Sequence, residues 1–391
     1  MNPDGKRWLI ATIGACAAVA ALPVRAADGG PLALSAEYVA DGIVVADGPE
    51  RGTNFVDLLT LEAGLDLDRA TGWHGASLHA TVLAGAGSQP NVRAGTLEGI
   101  DNAEVTRNRV RLFEAYLMQE LPTPGLTAKL GFIDLNADFY ATDSAGLLLA
   151  PPFGIGSELA ATGPNGPSIF PSTAPTASLR YAPDAHVYVQ AAVVSAEARV
   201  IGDIGGPAPL FDQGALLIAE AGTTDDKGKF AVGGWTYSKR QDDIGATATD
   251  GSPLHRRARG AYFLAEHALG SDRVTGFFRA GISDGTTSPF RGSWQAGVLV
   301  TGMVAARPTA VLSVGVHQGY LSSGYRTAMA ATGDPQRPAE TGWEVTLEDR
   351  LAPWLRIQPD LQFIRTTSRR PSSRDAVVLG LRLTFSAPGE P

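Results

Sequence analysis

Hydrophobic and polar residues alternate one by one along many short segments of this chain. From Leu355 to Phe363, the odd positions are Leu, Ile, Pro, Leu and Phe, and the positions between them are Arg, Gln, Asp and Gln. A period of two residues is typical of a β-strand with one apolar face and one polar face. Sixteen β-like segments can be marked between Leu32 and Phe385. The pattern therefore predicts an all-β protein.

The connections between these segments alternate in length without a break. The short links are Asp68–Gly75, Leu121–Gly125, Ala182–His186, Thr223–Gly228, Leu269–Asp272, Ala305–Thr309 and Leu351–Pro353. The long links are Ala40–Thr53, Ala84–Asn108, Asn136–Pro175, Ser195–Gly214, Ser238–Ala258, Ser283–Arg291, Leu321–Glu340 and Thr366–Asp375. An even number of strands with short turns on one side and long loops on the other is typical of a bacterial outer-membrane barrel.

We therefore predict a transmembrane antiparallel β-barrel of about sixteen strands in the bacterial outer membrane, with both chain ends on the periplasmic side. A soluble β-sandwich or propeller also alternates apolar and polar residues. Aromatic residues at strand ends favour the barrel, because interface girdles use aromatics in this way. These residues are Trp294, Tyr320, Trp343 and Trp354.

The first residues match a secretory signal. Lys6 and Arg7 precede an apolar stretch, Trp8–Leu22, and Val24-Arg25-Ala26 supplies small residues at −3 and −1. Cleavage after Ala26 would leave residues 27–391 as a single barrel domain. A lipoprotein cleavage box at Ile13–Cys16 is the alternative, but it would leave a very short apolar region.

Composition narrows the class further. Mean hydropathy is 0.00, as expected when strands alternate lipid-facing and lumen-facing residues, and not for a helical membrane protein. The single cysteine, Cys16, lies in the predicted signal segment. That segment carries +2, so the net charge changes from −8 for the whole chain to −10 for the remainder. An acidic chain of this kind argues against nucleic-acid binding.

The longest link, Asn136–Pro175, is the third on the long-loop side. It contains no Lys or Arg, three acids and an apolar run, Leu147–Ala150. The acids are Asp138, Asp143 and Glu158, and the aromatic residues include Phe139, Tyr140, Phe153 and Phe170. A long apolar loop in a compact fold is normally functional. We predict that this loop folds inward and narrows the pore.

Strand parity predicts which charged residues face the lumen. The basic candidates are Lys129, Arg180, Arg279, Arg356 and Arg382, and the acidic ones are Glu62, Glu344, Glu348 and Asp360. A lining of mixed charge offers donors and acceptors to a polyhydroxylated solute. The alternative is that these charges only hydrate the wall and pair with each other.

Several blocks of sequence are similar to a known family. They are Leu97–Glu104, Arg111–Tyr116, Leu130–Phe139, Ser144–Leu147, Phe153–Gly156, Gly166–Pro171, Ala352–Gln362 and Val378–Arg382. They resemble the OprB-type carbohydrate-selective porins, and the resemblance spans roughly residues 34–385. It implies a sixteen-stranded outer-membrane channel for passive uptake of glucose or related monosaccharides, with Arg and acidic side chains at the eyelet.

The resemblance implies particular eyelet residues. Arg111 and Glu114 occupy the matching Arg-x-x-Glu motif, and Asp134 and Asp138 lie in the block that follows. Because an odd spacing separates Arg111 from Glu114, regular pleating cannot aim both inward. We favour Glu114 as the residue of the two that faces the lumen. Arg111 would need a bulge or a strand end to reach it. We expect Phe139, Tyr140 or Phe170 to offer an apolar face on which a sugar ring stacks.

Enzymatic function is not predicted. Gly281–Gly285 matches a nucleophile elbow formally, but no helix is predicted after it, as that motif requires. No cofactor or metal is implied. The predicted partners are monosaccharide solutes and outer-membrane lipid, and association into homo-oligomers is left open. A general or ion-selective diffusion pore is the alternative function. A hydrolase would need an activity that is lost on Ser283→Ala.

Overall fold

The protein is described by a computed structural model that covers residues 30–386. In these residues sixteen antiparallel strands form a closed barrel. The predicted signal peptide, residues 1–26, and the C-terminal tail beyond Ser386 lie outside the described residues. No helix in the described part is both long and apolar enough to span a membrane.

Eighteen strands occur in residues 30–386. They are β1 Leu32–Asp47, β2 Gly52–Asp66, β3 Ala76–Gly87, β4 Arg109–Glu120, β5 Leu126–Ile133, β6 Ala174–Tyr181, β7 Val187–Ser195, β8 Ala215–Asp225, β9 Gly228–Tyr237, β10 Gln241–Thr247, β11 Pro253–Arg256, β12 Arg259–Ala268, β13 Val274–Ser283, β14 Phe290–Thr301, β15 Val311–Leu321, β16 Ala339–Ala352, β17 Leu355–Arg365 and β18 Ala376–Ser386.

Short helices lie in the connections. The α-helices are Leu67–Thr71, Pro90–Ala94, Leu135–Asp138, Ser157–Ala160 and Ser323–Ala331, and the 3-10 helices are Asp143–Ala145 and Pro151–Phe153. Strands β10 and β11 form a separate hairpin, so β9 pairs with β12 in the barrel. The barrel closes where β1 pairs with β18, with Asp41 opposite Arg382. The predicted all-β barrel of sixteen strands is therefore confirmed.

One predicted link is wrong. The segment Ala40–Thr53 is not a long loop, because β1 continues to Asp47 and β2 begins at Gly52. The run Ile43-Val44-Val45 extends β1, and its backbone pairs with β2 up to Val45 opposite Gly52. Branched side chains of this kind fit an extended strand. The turn between the two strands has only four residues.

The two faces of the barrel differ as alternation requires. Outward side chains such as Leu130 and Leu179 are 64% and 52% exposed, and together they form an apolar exterior. Inward side chains contact residues 134–173, called loop 3 here, which packs inside the barrel. A large apolar cluster joins loop 3 to the inner wall, including Phe139 and Tyr140 on the loop and Leu264 on β12. The inward-folded third loop is part of the barrel's core.

Candidate functional site: a constricted pore

Loop 3 is fastened to the wall by buried carboxylates that accept hydrogen bonds from its backbone. The pairs are Glu220 with the N–H of Tyr140 at 2.9 Å, Glu266 with the N–H of Ser144 at 2.9 Å, and Glu344 with the N–H of Ala150 at 3.0 Å. Charge-assisted hydrogen bonds of this kind are roughly twice as strong as neutral ones. Three strands, β8, β12 and β16, thus hold successive parts of the loop.

Arg279 fastens the same loop through its carbonyl groups. This side chain is 0% exposed, and its guanidinium donates to the carbonyl oxygens of Tyr140, Pro152 and Gly154 at 3.1, 2.7 and 2.8 Å. The planar fork of arginine suits several acceptors at once. Arg279 therefore ties two separate stretches of loop 3 to strand β13.

Gly281 lets loop 3 approach β13 closely. A Cβ atom at this position would lie 1.8 Å from the Oε1 atom of Glu158 on the loop. The hydroxyl of Ser283 donates to the carbonyl oxygen of Phe290 at 2.7 Å. The glycine and serine of the formal nucleophile-elbow motif therefore have packing and strand-connecting roles.

A second loop, residues 88–108 (loop 2 below), is also held against the inner wall. The carboxylate of Glu340 accepts from the N–H groups of Leu97 and Glu98 at 3.0 and 2.9 Å. The carboxylate of Glu98 in turn lies 3.0 Å from Nδ1 of His317, whose side chain is 2% exposed. Loops 2 and 3 are thereby fixed to neighbouring strands.

A group of polar and aromatic side chains lies on strands β3 to β5, beside the start of loop 3. Nζ of Lys129 is 2.8 Å from both carboxylate oxygens of Asp138 and 5.4 Å from the ring centroid of Tyr116. The Tyr116 ring stacks on His79 with a centroid separation of 5.0 Å. Lys129 and Asp138 are each less than a quarter exposed. This cluster combines charges of both signs with an aromatic face.

Glu114 and Asp134 adjoin this cluster. Glu114 accepts from the N–H of Asp134 at 2.9 Å and from the hydroxyl of Thr81 at 3.1 Å. Asp134 caps the helix Leu135–Asp138 by accepting from the N–H of Asn136 at 2.9 Å. The first turn of loop 3 is therefore held in position by two predicted site residues.

A β-bulge in β4 allows both Arg111 and Glu114 to face the same side of the strand. Thr81 lies opposite Glu114, whereas the next residue, Val82, lies opposite Leu112, so Phe113 is an extra residue in β4. The bulge restores the inward direction for Arg111, which is 5% exposed. Both charged residues therefore lie on the inner side of the strand.

Arg111 pairs with a loop that the sequence did not connect to it. Its Nε atom is 2.7 Å from Asp203, which lies in residues 196–214, called loop 4 here. Burial alone would raise the pKa of Asp203, but hydrogen bonds from the Val200 backbone, Arg111 and Ser172 lower it below the ordinary value. Ionised Asp203 therefore stabilises the folded state. This stabilisation is complete above the ordinary aspartate pKa and is lost as the pH falls through the lowered pKa.

Two arginines near the barrel seam are paired on the inner wall. Arg382 forms a bidentate pair with Asp41, at 2.8 and 2.7 Å, and also donates to Asn102 at 2.9 Å. Arg356 lies 2.7 Å from Glu37 and 3.4 Å from Glu348. The parity prediction for these arginines matches their direction in the structure.

The remaining predicted site residues lie apart from each other. Arg180 donates to Gln190 at 2.8 Å and lies over the Tyr188 ring, 4.0 Å from its centroid. Asp360 accepts from Gln362 at 2.9 Å. Phe139 and Tyr140 are 2% and 0% exposed within the core, so their rings do not present a face to a solute. Phe170 is partly exposed and packs edge-on against Phe113.

Several functional side chains were missed by the sequence reasoning. Glu220, Glu266 and Glu340 occupy inward positions in β8, β12 and β16, so the same parity rule could have found them. Asp41 was assigned to a loop and therefore had no parity. Asp203 lies in loop 4, where no period exists to indicate its direction.

Replacing Lys129 with Met should raise the cation preference of the pore. The change leaves Asp138 without the ammonium group that lies 2.8 Å away, so a negative charge remains on the lining. We expect the cation-to-anion permeability ratio to rise roughly twofold, as measured by reversal potentials across a salt gradient. Lys227→Met, in the exposed turn between β8 and β9, is the control. An equal ratio for both variants would contradict a lining position for Lys129.

Glu104 in loop 2 predicts a pH dependence of stability. Burial raises the pKa of Glu104 to about 7, although the N–H of Asn91 donates to it at 2.8 Å. Because the folded pKa exceeds the unfolded one, this group favours folding below the ordinary glutamate pKa and loses that contribution as the pH rises to about 7.

Glu104→Gln should therefore be more stable than the wild type at pH 8 and differ little at pH 5. The amide keeps an acceptor for Asn91 but carries no charge to desolvate. Urea-unfolding midpoints in lipid vesicles measure the effect. A midpoint shift at pH 5 as large as that at pH 8 would contradict it.

The closed barrel and the inward loop define a pore-forming barrel protein. Among residues 30–386, no group of three or more metal-ligating side chains occurs. The family model described as "Carbohydrate-selective porin, OprB family" matches residues 52–386, so the chain belongs to the OprB family. It is a barrel of the bacterial outer membrane, and this family consists of channels, not enzymes. A comparison with curated protein sequences found no match.

Solved structures show the same fold at low sequence identity. The high-pH structure of OprB from Pseudomonas putida has a TM-score of 0.78 and 18% identity over 91% of this chain and 94% of that one. The low-pH structure of the same protein has a TM-score of 0.58 and 17% identity, over 91% and 92%. The DcaP channel of Acinetobacter baumannii has a TM-score of 0.58 and 9% identity, over 91% and 96%.

Proposed function

We propose that this porin conducts glucose or related monosaccharides by passive diffusion through a pore narrowed by loop 3. The observation that supports this most directly is the cluster of Lys129, Asp138, Glu114 and Tyr116 at the start of that loop. It presents an ammonium group, carboxylates and an aromatic ring within a few ångströms of each other. These are the groups that a polyhydroxylated ring with an apolar face can contact.

Transport follows from weak contacts made in sequence. Sugar hydroxyls exchange water for side chains such as Lys129 and Asp138, and the fixed position of loop 3 keeps the passage narrow. Binding enriches the sugar at the constriction, but each contact is weak enough for release on the other side. The wall carboxylates and Arg279 affect transport indirectly, because they form hydrogen bonds with the backbone of loop 3 and so hold the loop in place.

Liposome swelling with the refolded mature protein tests this proposal. Glucose, a larger disaccharide and a charged amino acid of similar size to glucose are compared at equal concentration. Rapid entry of glucose with slow entry of the other two is expected. Equal entry of all three would support a general diffusion pore instead. Lys129→Met and the control Lys227→Met are measured in the same way, and only the first should change the glucose rate.

Association of barrels into homo-oligomers is a separate question that chemical cross-linking in native outer membranes answers. Cross-linked dimers or trimers would show association, and a monomer as the only product would show none. The sugar proposal does not depend on the outcome, because the polar cluster and loop 3 come from one chain.

A further inference from the structure

A cavity of about 600 Å³ opens at the long-loop end of the barrel, outside the cluster described above. It is enclosed by the end of loop 2, the start of β4, the second half of loop 3 and loop 4. Four arginines line it: Arg107, Arg109, Arg111 and Arg199. Of these four arginines, only Arg111 has a contact described above, its pair with Asp203.

Positive charge exceeds negative charge around this cavity. Asp203 is shared by Arg111 at 2.7 Å and Arg109 at 3.8 Å, so one carboxylate faces two guanidinium groups. Arg199 lies 3.5 Å from Glu197, and Arg107 is exposed. Glu104 also lines the cavity, and its raised pKa of about 7 leaves it partly protonated at neutral pH. The excess of positive charge around the cavity favours the binding of a ligand with a single negative charge.

Two of these arginines hold donors that the protein leaves available. The Arg109 side chain is 16% exposed, and its 3.8 Å separation from Asp203 is too long for a hydrogen bond. The Nε atom of Arg199 is buried without a hydrogen-bond partner among the described residues. Buried donors are normally paired, so an unpaired guanidinium N–H beside a cavity indicates a place for an acceptor.

The other lining groups suit a sugar. Phe170 and Pro167 give the cavity an apolar side. Asn165 and Ser172 also line it, but the Asn165 amide bonds to the backbone of Ala198 and the Ser172 hydroxyl donates to Asp203. An amide N–H of Asn165 and an acceptor site on the Ser172 oxygen remain for a ligand. A bare inorganic anion would use the arginines alone. A ligand with both a carboxylate and a hydroxylated ring would use the apolar side and the polar groups as well.

We infer that this cavity is an entry site for sugar acids, with the carboxylate held by Arg109 and Arg199 and the ring placed against Phe170. This inference rests on the proposed sugar-channel function. The site raises the local concentration of monocarboxylated hexoses at the mouth, as a charged cleft does for an oppositely charged solute. Arg111, two residues after Arg109 on β4, also lines the cavity.

The test compares the permeability of glucuronate, a carboxylated pyranose, and glucose at low concentration in vesicles containing the full mature protein. In the double variant Arg109→Gln/Arg199→Gln, the glucuronate-to-glucose permeability ratio should fall roughly fivefold relative to the wild type. The control is Arg326→Gln/Arg369→Gln, which removes the same charge from an exposed position on the helix Ser323–Ala331 and an exposed position between β17 and β18, and it should leave the ratio unaltered. High salt should reduce the wild-type ratio, because exposed charges are screened.

A wild-type ratio that matches the double variant would overturn the inference, as would an equal fall in the control. Inorganic phosphate that competes with glucose-sized solutes as strongly as glucuronate does would also overturn it, because the site would then take any oxyanion. Arg109→Lys/Arg199→Lys keeps both charges and should retain part of the preference, which separates charge loss from misfolding. The proposed function is judged separately, by glucose against a disaccharide in the same vesicles.

Discussion

Replacing Arg279 with Met should release loop 3 and widen the pore. The change removes hydrogen bonds to three loop carbonyl oxygens, those of Tyr140, Pro152 and Gly154, and it does so where the side chain is 0% exposed. Each buried acceptor left unpaired costs about 1–3 kcal/mol. We expect single-channel conductance to rise roughly twofold, with faster entry of disaccharides than in the wild type.

Planar-bilayer recordings and liposome swelling measure these two effects. Arg326→Met, on the exposed helix Ser323–Ala331, is the matched control and should behave as the wild type. Arg279→Lys keeps the charge but not the fork geometry, so an intermediate conductance is expected. Wild-type conductance in a folded Arg279→Met barrel would mean that the wall carboxylates hold loop 3 without Arg279.

Replacing Arg382 with Ala should produce the largest change in ion selectivity. The side chain is 11% exposed and pairs with Asp41, which is 1% exposed, while Asp101 lies 3.8 Å away. Without the guanidinium group, the buried carboxylate of Asp41 loses its nearest cation. We expect a marked rise in cation preference and a loss of stability on the order of 3–5 kcal/mol, the cost of breaking a buried pair from one side.

Reversal potentials and urea midpoints measure the two consequences. Arg356→Ala should shift selectivity in the same direction with a smaller stability cost, because Arg356 is 29% exposed in its side chain. The double variant Arg382→Gln/Asp41→Asn removes both charges and should recover most of the lost stability. Unchanged reversal potentials for Arg356→Ala and Arg382→Ala together would show that these arginines lie away from the ion path.

Strand parity was a reliable guide wherever the pleat is regular. Lys129, Arg356 and Arg382 point inward as their positions in alternating segments predict. The rule works because one residue of shift exchanges the lipid face and the lumen face, which the bilayer does not tolerate. The same rule fails at Arg111, since the extra residue Phe113 changes the parity within β4. A bulge leaves no clear signal in a single sequence.

For the loops, the sequence predicted the general position of loop 3 but not the contacts that hold it. Their lengths predicted that the third would fold inward, and its apolar residues supplied the reason. Which wall residue holds which part of the loop could not be predicted, because Glu344 and Ala150 are nearly two hundred positions apart. The pairing of Arg111 with Asp203 depends equally on how loop 4 returns to β4.

The amino-acid sequence by itself determined the strand number, the lengths of most connections, the direction of most wall residues and the family. These are local or periodic properties, set by the pleat and by the solvent on each side of the sheet. Only the tertiary structure decided the anchoring of loop 3, the bulge at Phe113, the burial of Phe139 and the arginine-lined cavity at the mouth. Each of these joins residues distant in the chain, and their contacts exist only once the barrel has closed.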